Sequence, residues 1–134
     1  TFRQIKKNKI NENDIGTEKF KISKSVINKK KKKKKLNKRV IAVGTTVTRV
    51  LEYCFTKKIQ NDYEGEVDLY ITPGYNFKAI NCLITNYHLP KSTLLLLVSS
   101  FIDFNYLMTL YKSAIENDYK FYSYGDSMFI DKML

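Results

Sequence analysis

Tryptophan is absent from this 134-residue sequence, and there are only one His, two Cys, two Pro and five Gly. One histidine (His88) with no Cys-x-x-Cys pair offers no zinc-ligand spacing, so no metal site is expected. Cys54 and Cys82 are too few for a disulfide framework. Cys54 falls on the apolar face of an expected helix and Cys82 in an expected buried strand, so both read as small core residues. No run approaches the ~18 apolar residues of a membrane span. A protein of the cytoplasm, without membrane contact, is the expectation. Gly44 is the only glycine at an expected strand-to-helix turn, and one glycine does not make a phosphate loop. No internal repeat is visible.

At 43% hydrophobic residues the chain is long enough for one modest domain with a real core. It opens on Thr1 rather than Met, and the expectation is the C-terminal part of something longer. The net charge of +11 is unevenly placed. Residues 1–38 hold 15 Lys and Arg against three acids, whereas residues 39–134 hold nine against ten. The excess therefore sits in a basic, low-complexity leader, much of it in the homopolymer Lys29 to Lys35. Seven adjacent like charges repel one another, which argues against a stable isolated helix there. Two readings stand side by side: an electrostatic arm on RNA phosphates, or a solvated connector.

From Arg39 the character changes. Arg39 to Val43 is a β-branched run suited to a buried strand. Gly44-Thr45-Thr46 breaks it, and Val47, Val50, Leu51, Cys54 and Phe55 then mark one face of a helix with a Thr N-cap. Such a helix start can hold an anion or a polar ligand head, although a plain capped turn has the same pattern. Gln60 to Glu66 reads as a loop. Val67 to Thr72 reads as a strand ending at the Pro73-Gly74 turn. Tyr75 and Phe77 then lie on one face of an extended segment, either to stack a base or to pack on a helix.

Ala79 to Ile84 is another apolar run, and it enters the polar corner Thr85-Asn86-Tyr87-His88. Pro90 starts a new element, with Ser92 or Thr93 able to cap a helix that is apolar all round from Leu94 to Val98. Asp103 is placed to cap a second helix, in which Phe104, Leu107, Met108, Tyr111, Ala114 and Ile115 keep a helical period. Lys120 to Tyr124 reads as a strand, Gly125-Asp126 as a turn, and Ser127 to Ile130 as a closing strand. Strands alternating with helices argue for α/β layers.

Four blocks carry a family resemblance, in order and in register. Arg39-Val-Ile-Ala-Val-Gly-Thr-Thr46 with Arg49-Val-Leu-Glu52 resembles "RVIAVGTT…R.LE". Tyr70 to Lys78 is similar to "I.PGY.FK", Leu83 to Leu95 to "LITNFHLPKSTL", and Phe121 to Met128 to "FFSYGDAM". The sequence is thereby identified as resembling the S-adenosylmethionine:tRNA ribosyltransferase-isomerases of the queuosine pathway. The likeness is close from Arg39 to Ile130 and loose over residues 1–38, where Thr1-Phe2-Arg3 resembles "TFRPV". Three departures stand out. The "HxMHSE" pattern falls on Asn13-Asp14-Ile15-Gly16-Thr17-Glu18, with both histidines missing and Glu18 kept. Val47 stands in place of a Ser, and Asn81 in place of an Asp.

The resemblance implies an α/β fold, with this chain the C-terminal part of a layered domain whose family carries an inserted β-barrel absent here. It implies transfer and isomerisation of the ribosyl part of S-adenosylmethionine onto 7-aminomethyl-7-deazaguanine at the tRNA wobble position. Epoxyqueuosine, adenine and methionine would be the products. S-adenosylmethionine is then a co-substrate, with no prosthetic group, and a monomer is expected. The chemistry asks for a base to take a proton beside the sulfonium and an acid to help adenine leave. His88, whose ordinary pKa suits either task, and Asp126 are the catalytic candidates. Gly44, Thr45 and Thr46 are candidate ligand donors at the helix start, and Arg49, Asn86 and Lys91 further polar contacts. Tyr75, Phe77 and Tyr87 are candidates to stack on adenine or the deazapurine. A non-catalytic remnant acting as a basic RNA-binding module is the competing reading.

Overall fold

A computed structural model describes residues 16–132, without the side chain of Lys34. Among the described residues, five strands and four helices follow one another in the order β1 (Glu18–Ile22), α1 (Lys24–Lys35), β2 (Ile41–Val43), α2 (Thr45–Thr56), β3 (Tyr63–Val67), β4 (Cys82–Asn86), α3 (Thr93–Phe101), α4 (Phe104–Glu116) and β5 (Ser127–Asp131). The fold is α/β, as expected. The three-stranded sheet has the order β2-β4-β5, and β1 pairs with β3 as a separate antiparallel ribbon. Strands β2 and β4 run parallel with Ile41 opposite Cys82, while β4 and β5 are antiparallel with Asn86 opposite Ser127.

Side-chain alternation along the strands decides where the core lies. Ala42, Leu83, Met128 and Ile130 face Leu97, Val98 and Phe101 of α3 and Leu107, Tyr111 and Ala114 of α4. The other face of this sheet leaves Ile41, Val43 and Phe129 exposed. Ser92 caps α3 by accepting from the Leu95 N–H, and Asp103 caps α4 through the Tyr106 N–H. The polyleucine stretch is well covered, with Leu97 and Val98 0% exposed. Cys54 and Cys82 are buried free thiols, and burial is the main cause that pushes both up in pKa.

Several elements differ from the sequence expectation. The Lys29 to Lys35 run is helical, because α1 is not isolated. Ile27 is buried with Ile22 and Cys54 in a second small core, the Lys30 ammonium lies 3.9 Å from the Phe55 ring centroid, and Asp62 accepts from the Lys24 N–H. Lysine's good helix propensity then acts unopposed by fraying. Residues 18–35 are thus fastened to the body, whereas Thr1-Phe2-Arg3 and Asn13-Asp14-Ile15 lie outside the described residues.

The expected loop over residues 60–66 contains β3, whose Tyr63 to Val67 pair with Ile22 to Glu18 of β1. Pairing overrides the weak strand propensity of Gly65 and its glutamates. The strand expected from Val67 to Thr72 stops at Val67, because the Val67 and Leu69 carbonyls turn to the Arg49 guanidinium instead of a neighbouring strand. Lys120 to Tyr124 is a turn-rich loop with Tyr122 at φ 72. Helix α2 has Gly44 as its N-cap, at φ 92, with no side-chain cap bond, so the expected Thr cap is replaced by a backbone turn only glycine makes easily.

Two charged residues of α2 hold these irregular segments. Arg49, 0% exposed, donates to Glu18 and to the carbonyls of Gly16, Val67 and Leu69. Glu52, also 0% exposed, accepts from the backbone N–H groups of Lys78, Ala79 and Ile80. Removing the Glu52 carboxylate leaves three inward-facing donors without that acceptor. Glu52→Ala should therefore lower stability by about 3–5 kcal/mol in urea unfolding; a loss below about 1 kcal/mol would show the clamp to be dispensable.

Candidate active site

In an open α/β sheet, the loops that follow the parallel strands gather at one end, and ligands bind there. Gly44 to Thr46 follow β2, and Tyr87 to Lys91 follow β4. The β5 strand is antiparallel, so the loop before it, residues 120–126, reaches the same end. The junction is tight: the Gly44 N–H donates to the Ile84 carbonyl at 2.8 Å, and the Tyr122 N–H to the Tyr87 carbonyl at 3.0 Å. Segments far apart in the chain thus meet at the carboxyl end of β4, on the residues that lead into His88.

His88 is held at two points. Its backbone N–H donates to the Tyr111 hydroxyl at 2.8 Å, and its Nε2 shares a 2.8 Å hydrogen bond with the Thr85 Oγ1. Its Nδ1 has no hydrogen bond among the described residues. Burial pushes its pKa down to about 4. The ring is therefore neutral at neutral pH, so the expectation from an ordinary imidazole pKa is narrowed: His88 carries no imidazolium proton to deliver, and burial also makes it a weaker base than a free imidazole. Tyr111 of α4, whose pKa burial pushes up to about 12, keeps its hydroxyl proton across the physiological range. Tyr111 was expected only as part of an apolar helix face; its polar tip is the part that sequence periodicity does not reveal.

Asp126 is exposed, and its Oδ2 accepts from the Lys120 N–H at 2.7 Å. Its own N–H donates to the Lys120 carbonyl at 2.7 Å, which closes the loop. Its Oδ1 has no hydrogen bond among the described residues. Asn86 donates through Nδ2 to the carbonyls of Gly125 and Asp126, and so staples the same loop to β4. Its Nδ2 is thereby turned to the fold. Thr45 is buried and Thr46 half-buried, with the Thr46 hydroxyl 3.4 Å from Glu18 Oε1. Lys91 is exposed, at φ 55.

The remaining expectations are corrected by position. Arg49 is enclosed by the carbonyls and the carboxylate it binds, and burial is the main cause that lowers its pKa, opposed by Glu18. It braces the fold and does not face a ligand. Tyr75 and Phe77 precede β4 and lie towards the opposite end of the sheet. Phe77 is 8% exposed, edge-on to Tyr75 and Phe101 at centroid distances of 5.0 and 4.8 Å. Tyr87 is 7% exposed, with ring contacts to Tyr111, Tyr119 and Phe121. Aromatic packing, the second of the two readings for Tyr75 and Phe77, is what the geometry gives all three. Tyr122 and Tyr124 were not singled out in the sequence, yet both are exposed at this end of the sheet. Their one sequence signal is position, beside the Gly125-Asp126 turn.

The arrangement defines an α/β domain with a polar histidine corner at the carboxyl ends of its parallel strands. Comparison with known proteins makes this specific: the family described as "Queuosine biosynthesis protein" matches residues 1–130, and the chain belongs to that family. It is 48% identical over 131 residues to an S-adenosylmethionine:tRNA ribosyltransferase-isomerase of Halothermothrix orenii, with 97% of this chain and 38% of the relative covered. The Aquifex aeolicus relative of the same name is 46% identical with the same coverages. A crystal structure of S-adenosylmethionine tRNA ribosyltransferase from Thermotoga maritima superposes with a TM-score of 0.80 at 38% identity, covering 84% of this chain and 40% of that one. The chain thus spans about two-fifths of the length of the relatives it matches. That share is consistent with a C-terminal part of such a protein, as expected.

The depressed His88 pKa has a consequence for stability. The unfolded chain takes up a proton near pH 6.5 while the folded chain resists until about pH 4. Stability from this group is present above pH 6.5 and falls as pH drops towards 4, by up to about 3 kcal/mol. An NMR titration of the His88 ring should give a midpoint near 4, and His88→Gln should flatten the stability slope across that window. A midpoint of 6 or above would contradict the buried, neutral ring.

Proposed function

We propose that the chain is the C-terminal part of the α/β catalytic domain of an S-adenosylmethionine:tRNA ribosyltransferase-isomerase, with residues 39–134 carrying the site segments and residues 1–38 a basic lead-in. The observation that carries this reading is the His88 corner, assembled where the β2, β4 and β5 loops converge in a chain matched almost end to end by these enzymes. The reaction would move the ribosyl part of S-adenosylmethionine onto the aminomethyl group of 7-aminomethyl-7-deazaguanine at the tRNA wobble position. Epoxyqueuosine would form as adenine and methionine leave. S-adenosylmethionine serves as co-substrate without a prosthetic group, in a monomer of the cytoplasm.

The sulfonium acidifies the neighbouring ribose C–H, and a neutral His88 with its Nδ1 unengaged can accept that proton. Thr85, on the far ring nitrogen, fixes the ring's orientation. Departing adenine needs a proton, and the Asp126 carboxylate, with its Oδ1 unengaged, is the remaining candidate to orient a water that brings one. Gly44, Thr45 and Thr46 line the end of α2 beside the same corner and suit the polar part of a ligand. Residues 1–134 alone supply only one side of this site.

In the full-length polypeptide, His88→Ala should abolish epoxyqueuosine, read by mass spectrometry of digested tRNA nucleosides. Near-normal turnover would remove His88 from the catalytic residues. Residues 1–134 on their own should give no product, and product from them would refute the need for further walls.

The exposed lysines of α1 favour a second component, non-specific RNA affinity. Each phosphate neutralised adds roughly 0.7–0.9 to the log–log salt slope. Replacing Lys29, Lys31, Lys32, Lys33 and Lys35 with Gln should flatten the salt dependence of tRNA binding. An unchanged slope would leave α1 a solvated element.

A further inference from the structure

We infer that Tyr124 is a stacking platform for a nucleobase, on the loop that Asn86 and Tyr87 fasten to the segment leading into His88. The inference rests on the ribosyltransferase reading and assigns a specificity contact within it. Tyr124 is 104% exposed, so its ring touches essentially nothing among the described residues. Single exposed apolar residues are common on protein surfaces. What sets this one apart is the pedestal beneath it.

Loop 120–126 is closed on itself and on the site by hydrogen bonds from both ends. The Lys120 N–H and carbonyl pair with the Asp126 Oδ2 and N–H, and the Gly125 N–H donates to the Tyr122 carbonyl at 2.9 Å. Asn86 grips the Gly125 and Asp126 carbonyls, and the Tyr122 N–H binds the Tyr87 carbonyl. Gly125 is enclosed: a Cβ there would lie 2.2 Å from the Lys120 carbonyl oxygen. Below, Phe121 is anchored between Tyr87 and Tyr111 at centroid distances of 4.9 and 5.6 Å.

Such a loop cannot readily turn Tyr124 inward, and Tyr122 holds a left-handed φ of 72 that a bulky residue adopts only against strain. A braced loop that keeps a large ring in water, just ahead of the strand paired with β4, is built to meet a flat partner. Aromatic rings stack on unpaired bases irrespective of base identity. An aliphatic surface of another protein segment would accept leucine in place of the ring, whereas stacking requires the π-face. The planar partner is a purine-like base, either the adenine of the co-substrate or an unpaired base of the tRNA anticodon loop.

The test titrates the full-length polypeptide with adenosine, and separately with an anticodon stem-loop carrying 7-aminomethyl-7-deazaguanine, following the Gly125 and Asp126 amides by NMR. Tyr124→Phe, Tyr124→Leu and Tyr124→Ala are compared with the parent; because the ring is fully exposed, all three should keep the parent fold by circular dichroism. Stacking predicts that Phe binds within about twofold of Tyr, while Leu and Ala weaken binding about 5- to 150-fold. Loss confined to adenosine assigns the co-substrate base, and loss confined to the stem-loop assigns the tRNA base. Leu binding like Tyr for both ligands, or no binding of either ligand by the parent chain, would overturn the inference. In the full-length polypeptide, epoxyqueuosine formation at parental kcat/KM by Tyr124→Leu overturns the stacking role and keeps the enzyme reading. Absent turnover with Tyr124-dependent binding intact removes the enzyme reading and keeps the stacking role.

Discussion

Arg49 and Glu52 stand one turn apart on the inner side of α2, and both are wholly withdrawn from water. A charge in that position persists only when polar partners replace its hydration. The backbone supplies them: Arg49 collects carbonyls from residues 16, 67 and 69, and Glu52 collects N–H groups from residues 78, 79 and 80. Each therefore satisfies a stretch that has no strand partner. The guanidinium holds the exit of β3 and, through Glu18, the start of β1, while the carboxylate holds the segment that feeds β4. Since β4 carries Thr85, Asn86 and the entry to His88, the His88 corner depends on a clamp at the other end of the helix. The requirement for Arg and Glu in the "R.LE" block is thus mechanical.

This separation explains why some of the fold was legible in the sequence and some was not. Elements set by local chemistry were: Ser92 and Asp103 cap α3 and α4 as their side chains allow, Pro73-Gly74 turns, and the all-apolar Leu94 to Val98 lies in a covered helix. Elements set by distant partners were not. Nothing in Gln60 to Glu66 announces a strand, because its pairing partner is β1, far earlier in the chain. Residues 68–72 look extended, but the carbonyls of Val67 and Leu69 are claimed by Arg49, and the strand ends. The lysine run repels itself in isolation, and it is the anchoring of Ile27 and Lys30 on α2 that makes it a helix.

The site divides in the same way. Which segments approach His88 follows from the sheet topology: the loops after β2 and β4 and the loop before β5 meet at one end, an arrangement the matched blocks do not by themselves disclose. What each side chain faces did not follow. Tyr75, Phe77 and Tyr87 have the composition of a stacking surface and the position of a core. The type of residue is the same in both roles, so only burial separates them. His88 shows the converse: its identity was informative, but its protonation state is set by an enclosure that no single-sequence pattern encodes.

The departures from the family pattern can be weighed by the same geometry. Asn81 stands in place of an Asp, yet its Oδ1 accepts from the Val40 N–H at 3.0 Å, and its backbone bonds Val40 and Lys132. An amide oxygen does this as well as a carboxylate oxygen, so the change leaves the bracket between β2, β4 and β5 intact. Val47 is exposed on the first turn of α2, where it neither enters the core nor caps the helix. Glu18, the retained member of the upstream pattern, is the ion-pair partner of Arg49 at 2.9 Å. The substitutions at Asn81 and Val47 therefore fall where acceptor chemistry is conserved or where the side chain meets water, whereas Gly16 in place of a histidine removes the ring and keeps only the backbone carbonyl that Arg49 binds. The clamp on α2 and the corner it positions keep the residue types their contacts require.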